Sequence, residues 1–182
     1  VRWARKGETL VLLNGQTVTL DKQVGVIADA RDVESLAGVM GGQATAVGDA
    51  TTNVYIEAAF WHPLAIQGRA RRFGFSTDAA HRFERGVDAS TTSEHVERIT
   101  QLVLDICGGA AGPLDDQQPS MPVRKPVTLR VARAAKVIGM PVSQARCEGV
   151  MSRLGLAYTS EPGMVHVTPP TVHRMTALED SD

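Results

Sequence analysis

The chain has 182 residues, of which 43% are hydrophobic and 21% charged, and this composition is typical of a globular protein that buries a core. Its 19 basic and 20 acidic residues give a net charge of -1, so no global positive field indicates nucleic-acid binding and any RNA contact must be local. No apolar run reaches the roughly eighteen residues of a membrane span and no secretory signal is present, which predicts a cytoplasmic protein with no membrane partner.

The two ends and the two cysteines narrow the interpretation further. The chain opens at Val1 in a strand-like run and stops in an acidic stretch at Asp182, which we interpret as an excised fragment. Cys107 and Cys147 form neither a C-x-x-C pair nor a plausible zinc set. The sequence therefore favours two buried thiols over a redox or metal site.

Strand signals dominate the first sixty residues. Residues 9–20 form two β-rich runs around Asn14-Gly15, which is the strongest short signal for a hairpin, and a further strand is predicted at 24–28. The run of small, apolar and glycine residues at 37–42 favours a tight backbone path. Residues 53–60 alternate in side-chain character and predict another strand.

Helix signals follow. Residues 62–73 predict one short helix with a basic tail that ends at Gly74. Thr91 and Glu94 have the spacing of a capping box, and apolar residues then recur at helical spacing until Gly108. This second helix is the most strongly patterned element of the chain.

A change of composition after residue 112 predicts two domains joined by a proline-rich linker at 113–125. The fold class is α/β of the α+β type: a mixed β-sheet domain with flanking helices at 1–112, then a small α+β domain at 126–182 that is incomplete at its C-terminus. The elements predicted in the small domain are a strand at 127–131, helices at 132–138 and 143–154, and a hairpin of 156–159 with 165–168.

Several residue clusters are candidates for chemistry, and each has a plainer alternative. Glu57 lies among small and apolar residues, so it must be solvated, paired or turned toward a polar ligand; an exposed strand glutamate is the plainer interpretation. The glycines at 37–42 could bring backbone amides near a ligand or form a simple turn. The charged run at 77–88 fits surface ion pairs better than a hydrolase triad, because no nucleophile motif accompanies His81.

A resemblance comes from three motifs in this order and spacing: LAGVMGG at residues 36–42, NVYIEAAF at 53–60 and TDAAHRFERGVD at 77–88. Together they resemble the proofreading domain of bacterial phenylalanyl-tRNA synthetase β chains. The likeness extends over nearly the whole chain, including LDICGG at 104–109 and VHVTPP at 165–170.

In that family the domain hydrolyses tyrosine wrongly esterified to phenylalanine tRNA. A synthetic pocket built for an apolar ring cannot strongly reject the same ring with an added hydroxyl, so a second site must recognise the hydroxyl. The resemblance implies that Glu57 accepts the phenolic proton and that Gly41 and Ala79 line the pocket by their small size. It implies water attack without a covalent nucleophile, so no catalytic residue is assigned. Possible RNA contacts are Arg69, Arg71, Arg72, Arg82 and Arg85, although a helix-end charge cluster is the plainer account of the first three.

The chain departs from the family in two places. The family's Gly-Gln-Pro-x-His-Ala-Phe-Asp segment is not present, so we expect weak hydrolysis by the chain alone. The family's aspartate after an aromatic residue is replaced within residues 173–180, so no metal site is assigned. No cofactor is expected here, while the parent enzyme uses ATP and Mg²⁺, with an α subunit that holds the ligase site. The expected partners are that α subunit, a second β chain in an α2β2 heterotetramer, and tRNA(Phe). The alternative is a non-catalytic scaffold module that docks tRNA or protein.

Overall fold

The computed structural model describes residues 1–123 and 125–171, and it divides into two compact units, Val1–Pro113 and Leu114–Asp182. The altered motif within residues 173–180 lies outside the described residues. None of the helices in the described ranges is long and apolar enough to cross a membrane. The mixture of antiparallel sheets and helices confirms the predicted α+β fold.

The first unit begins with a β framework, our name for residues 1–42. A four-stranded antiparallel sheet has the order β1-β4-β5-β6, and β2 pairs with β3 in a separate hairpin. A bridge between Leu12 and Gly42 joins the hairpin to this sheet. The strands are β1 Arg2–Trp3, β2 Thr9–Val11, β3 Thr17–Thr19, β4 Gly25–Ala28, β5 Val33–Leu36 and β6 Met40–Gly41.

The framework forms because its alternating strands direct apolar side chains to one side. In both hairpin strands the central residue, Leu10 or Val18, is buried between two exposed neighbours. Asn14 and Gly15 occupy the hairpin turn, where Gly15 has a φ of 81°, which confirms the predicted hairpin. The same core also buries Leu12 and Val26 completely. Burial of such side chains supplies most of the stabilisation of a sheet of this size.

Residues 43–62, which we call the irregular segment, contain neither helix nor strand. The strand predicted at 53–60 is therefore wrong. Alternation alone does not make a strand, because the backbone groups need a neighbouring strand, and Val54 and Tyr55 remain 53% and 93% exposed. The irregular segment returns to the core at Trp61, which packs against its buried residues.

Four helices complete the first unit: α1 Pro63–Ile66, α2 Arg69–Arg72, α3 Asp78–Phe83 and α4 Thr92–Cys107. The single helix predicted at 62–73 is two helices, because Gly68 between them has a φ of 75°. Thr91 caps α4 by position, but its side chain makes no capping hydrogen bond, so the predicted capping box is wrong in that detail. The helix itself, and its end at Gly108, are confirmed.

The second unit packs two helices beside a three-stranded antiparallel sheet of order β7-β9-β8. Its core buries Cys147, Val165 and Val167. Side chains also join the strands, since His166 lies 2.9 Å from Thr128 Oγ1 through Nδ1 and 3.0 Å from a carboxylate oxygen of Glu161 through Nε2. The elements are β7 Val127–Arg130, α5 Val131–Ile138, α6 Gln144–Arg153, β8 Ala157–Glu161 and β9 Met164–Thr168.

The two cysteines differ in exposure. Cys147 on α6 is buried as predicted, whereas Cys107 is exposed and its predicted burial is wrong. Cys107 is the last residue of α4, and the helix ends at Gly108 directly after it. A position at the end of a helix does not by itself predict burial.

Candidate functional site

A cleft of about 540 Å³ lies in the first unit. Its volume falls within the roughly 300–1,000 Å³ of sites that hold small molecules. Four parts of the chain form its walls: the end of β5 with the turn after it, the irregular segment, α3 with the residues after it, and the first two turns of α4. The lining residues are Ser35, Leu36, Gly38, Val39, Glu57, Ala58, Ala59, Trp61, Ala79, Phe83, Val87, Asp88, Thr91, Thr92, His95 and Ile99.

The turn of the β framework at Gly38 fixes the floor of the cleft. Gly38 has a φ of 65°, and a Cβ added there would lie 2.7 Å from Cδ1 of Trp61. A larger residue would therefore be strained and would displace the indole. Thr77 donates a hydrogen bond of 2.8 Å from its hydroxyl to the carbonyl oxygen of Val39, which ties the start of α3 to the same turn.

Glu57 enters the cleft wall from the irregular segment. Its side chain keeps substantial contact with solvent, yet desolvation by the surrounding protein raises its pKa above the ordinary value. Among the described residues no nearby cation contributes to this shift or offsets the desolvation. An acidic group in this state favours a ligand that donates a hydrogen bond.

Ala79 contributes the opposite kind of surface. Thr77 caps α3 by accepting a 3.0 Å hydrogen bond from the backbone N–H of Ala80. This cap orients the helix so that Ala79 and Phe83, four residues apart, share the face that lines the cleft. The methyl group of Ala79 therefore leaves room where a larger side chain would fill the space.

Gly41 does not line the cleft. A Cβ added to Gly41 would lie 3.3 Å from Cδ1 of Leu13, so its small size serves packing within the β framework. The glycine that borders the cleft is Gly38, three residues earlier. The pocket role of Gly41 stays a prediction, and within this cleft the bordering glycine is Gly38, in the turn after β5.

Helix α4 supplies a polar wall that sequence reasoning missed. Thr91, Thr92 and His95 line the cleft near the start of the helix, and Ile99 follows one turn after His95. The spacing of His95 and Ile99 places them on one helical face. That signal was present in the sequence, but nothing local indicates that this face borders the irregular segment.

The candidate RNA contacts form two groups, the arginines of α2 and those of α3 with the turn after it. Arg72 is held in a bidentate ion pair by Asp21, and this pairing lowers the pKa of Asp21 to about 2. Arg69 has a buried Nε atom without a hydrogen-bond partner in the described part of the chain. Arg71 lies 3.9 Å from Glu84, whose carboxylate also accepts a 2.9 Å hydrogen bond from the backbone N–H of Gly68. Arg82, on the cleft-lining helix α3, and Arg85, in the turn after it, are exposed.

The sequence of the first unit identifies its family. The family model described as "B3/4 domain" matches residues 1–108. This chain belongs to the B3/4 domain family. The matched residues include every residue that lines the cleft.

The B3/4 chain is also similar to bacterial proteins named phenylalanine–tRNA ligase beta subunit. It is 60% identical to the protein of Burkholderia mallei (strain ATCC 23344) over 182 residues, covering 100% of this chain and 22% of that protein. The identity is 60% with the Cupriavidus pinatubonensis protein and 57% with the Bordetella pertussis protein, each over 99% of this chain. The predicted resemblance is confirmed, and the chain spans about a fifth of the length of these relatives.

Proposed function

We propose that this B3/4 chain provides the proofreading pocket of a phenylalanine–tRNA ligase β subunit, which hydrolyses tyrosine wrongly esterified to tRNA(Phe). The observation that supports the proposal most is that Glu57 and Ala79 line one cleft although they come from different elements of the chain. The relatives' name supplies the tRNA and the amino acid. The cleft supplies the means to distinguish tyrosine from phenylalanine.

Selection follows from the acidic wall. The Glu57 carboxylate accepts the phenolic proton of tyrosine, and hydrogen bonds to charged groups contribute roughly 1.5–3 kcal/mol. At about 1.4 kcal/mol for each factor of ten, this favours tyrosine by roughly ten- to a hundredfold. A phenylalanine ring in the same position displaces water from the carboxylate and returns no hydrogen bond.

Hydrolysis requires water near the ester rather than a covalent nucleophile. Thr91, Thr92, Asp88 and His95 are the polar residues on the wall formed by α4 and the turn before it. The threonine hydroxyls and a ring N–H of His95 donate hydrogen bonds that stabilise the negative charge developing on the carbonyl oxygen. The Asp88 carboxylate would repel that charge, so its role is to position water. We assign no single catalytic residue, and we expect the chain alone to hydrolyse the ester more weakly than the full-length subunit does.

The parent enzyme sets the context of the pocket. We infer that the chain works in the cytoplasm within an α2β2 heterotetramer and receives its substrate from an α subunit, where ATP and Mg²⁺ serve the ligase step. In the part of the chain that the structure describes, no group of three or more histidine, cysteine, aspartate or glutamate residues is placed to hold a metal ion.

The test uses the full synthetase with substitutions in this region. Ala79→Trp should abolish clearance of tyrosyl-tRNA(Phe) while charging with phenylalanine continues, and Glu57→Ala should reduce clearance by roughly ten- to a hundredfold. Ala50→Trp, at an exposed alanine outside the cleft, is the matched control. Unchanged clearance by the Ala79 variant would contradict the pocket assignment.

A docking role is the second candidate. It is supported by the apolar residues that α4 exposes, of which Leu102 and Ile106 are 39% and 80% exposed. A full synthetase that charges tRNA normally but never clears the tyrosyl ester would favour this scaffold role over proofreading.

A further inference from the structure

Helix α3 lines the cleft on one side, and exposed arginines lie on it and in the turn after it. Ala79 and Phe83 face the cleft, and Arg82 follows Ala79 by three residues, which places it on the flank of the same face. Arg85 lies in the turn directly after the helix and is held there by its own contacts. Its guanidinium donates to the Nδ1 atom of His81 at 2.9 Å and to the His81 carbonyl oxygen at 3.0 Å. Both arginines are exposed.

The acidic groups nearby leave these arginines largely uncompensated. Glu84 is turned toward the backbone N–H of Gly68, and Asp88 accepts hydrogen bonds from the backbone N–H and hydroxyl of Ser90. Asp78, at the start of α3, is the exposed carboxylate on this helix. Within the described residues, neither Arg82 nor Arg85 has an ion-pair partner.

One basic residue of α2, Arg72, is in a different state. Arg72 is committed to Asp21 on the β framework, and its guanidinium also lies 5.7 Å from the ring centroid of Phe73. Releasing that guanidinium would break two hydrogen bonds that hold α2 to the framework. Arg82 directly precedes the cleft-lining Phe83, and Arg85 lies between the lining residues Phe83 and Val87. A ligand at the edge of the cleft would therefore meet Arg82 and Arg85 at lower cost than Arg72.

We infer that Arg82 and Arg85 bind phosphates of the RNA strand whose 3′ end carries the ester into the cleft; this inference rests on the proposed function. The amino acid is bonded to the terminal ribose, so the phosphates of the same strand must leave through the mouth of the cleft. Guanidinium groups suit them, because they bind phosphate oxygens in a bidentate manner. The arginines fix the position of the RNA strand, whereas Glu57 selects the amino acid.

The experiment separates phosphate binding from ester hydrolysis. The full synthetase carries Arg82→Ala with Arg85→Ala, and the probes are tyrosyl-tRNA(Phe) and tyrosyl-adenosine, an ester without phosphate. The ratio of clearance of the first to hydrolysis of the second should fall roughly tenfold. The slope of log KM for tyrosyl-tRNA(Phe) against log salt should decrease by about 1.4, since each lost contact to a single strand contributes about 0.7.

Three comparison variants make the result specific. Arg31→Ala removes an exposed arginine in the turn between β4 and β5, outside the cleft, and should leave both the ratio and the slope unchanged. Arg82→Lys with Arg85→Lys keeps the charges and should recover most of the salt slope, which a misfolded variant could not do. Glu57→Ala should instead lower hydrolysis of both esters, leaving the salt slope as in the parent.

The outcomes distinguish this inference from the proposed function. An unchanged ratio and slope in the double alanine variant would overturn the RNA contact even if the cleft clears the ester. Hydrolysis of neither ester, together with a salt slope of tRNA binding that depends on the two arginines, would overturn proofreading and leave the RNA contact standing. If the double alanine variant lost binding to a polyglutamate peptide as much as it lost binding to tRNA(Phe), RNA would be overturned as the partner in favour of an acidic protein.

Discussion

The β framework and the irregular segment meet at the cleft but are held in opposite ways. In the framework, strand pairing satisfies the backbone and the side chains form a buried core. Within the described part of the chain, residues 52–61 make no backbone hydrogen bond to other backbone groups, and the segment buries no side chain. Loops of such length without regular structure are usually either functional or linkers, and this one carries Glu57 to the cleft. The β framework therefore positions the cleft, while the irregular segment presents the acidic group of the cleft.

The largest expected effect tests whether stability resides in the framework. Leu12 is completely buried, so Leu12→Ala should lower the free energy of unfolding by about 2–5 kcal/mol. Tyr55→Ala, in the irregular segment, should change it by less than about 0.5 kcal/mol because the side chain is 93% exposed. Urea unfolding followed by tryptophan fluorescence reports on the first unit, because both tryptophans, Trp3 and Trp61, lie there. Similar costs for the two variants would remove the distinction between the regions.

The next largest effect on stability concerns Gly38, where the β framework contacts Trp61 of the irregular segment. Gly38→Ala should cost about 2–4 kcal/mol, since it combines a strained positive φ with overpacking against Trp61. Gly68→Ala is the matched control: its φ is also positive, but nothing lies within 4 Å of an added Cβ, so it should cost about 1 kcal/mol. Only the Gly38 variant should shift the fluorescence of Trp61. Equal costs would mean that the indole does not depend on this turn.

Glu57 provides a smaller effect with the opposite sign. Desolvation raises its pKa in the folded chain, so the folded state binds the proton more tightly than the unfolded state does, and the ionised group opposes folding above about pH 4.5. Glu57→Gln should therefore raise the Tm slightly at neutral pH. The gain in the free energy of unfolding should be less than about 1 kcal/mol, because solvent screens the group. The gain should shrink as the pH falls toward 4.5.

Calorimetry at several pH values measures this gain. Ala50→Gln, a change to the same residue at an exposed site of the irregular segment, controls for the new amide. A lower Tm for Glu57→Gln at neutral pH would show that the carboxylate supports the fold rather than serving a ligand. A higher Tm for Glu57→Gln would mean that the ionised carboxylate lowers the stability of the chain where it serves a ligand.

The same contrast explains what the sequence could predict. The hairpin at Asn14-Gly15 and helix α4 were predictable because turn chemistry and helical spacing act between neighbouring residues. The strand at 53–60 was wrong because pairing depends on a distant partner, which alternation does not reveal. Glu57 and Ala79 came from the resemblance, and both line the cleft. The positions of Gly38 and His95 in the cleft wall depend on tertiary packing, which no local pattern encodes.

The smallest effect concerns an ion pair at the edge of the framework. Arg2 donates two hydrogen bonds to the carboxylate of Glu8, which also accepts one from the backbone N–H of Arg5, and these bonds lower the pKa of Glu8 to about 2. Between pH 4.5 and about 2 the unfolded chain therefore binds more protons at this residue, so stability is lost as the pH falls through that range.

Thermal unfolding of the wild type should show this loss, and Glu8→Gln should make the Tm less dependent on pH between about 4.5 and 2. Asp49→Asn removes the same charge from the irregular segment and should leave the acid branch of the wild-type curve in place. Comparing the pH dependence of the Tm of these two variants distinguishes a carboxylate held by the framework from one exposed to solvent. If both variants flattened the acid branch equally, acid sensitivity would not belong to the framework, because general charge repulsion would account for it.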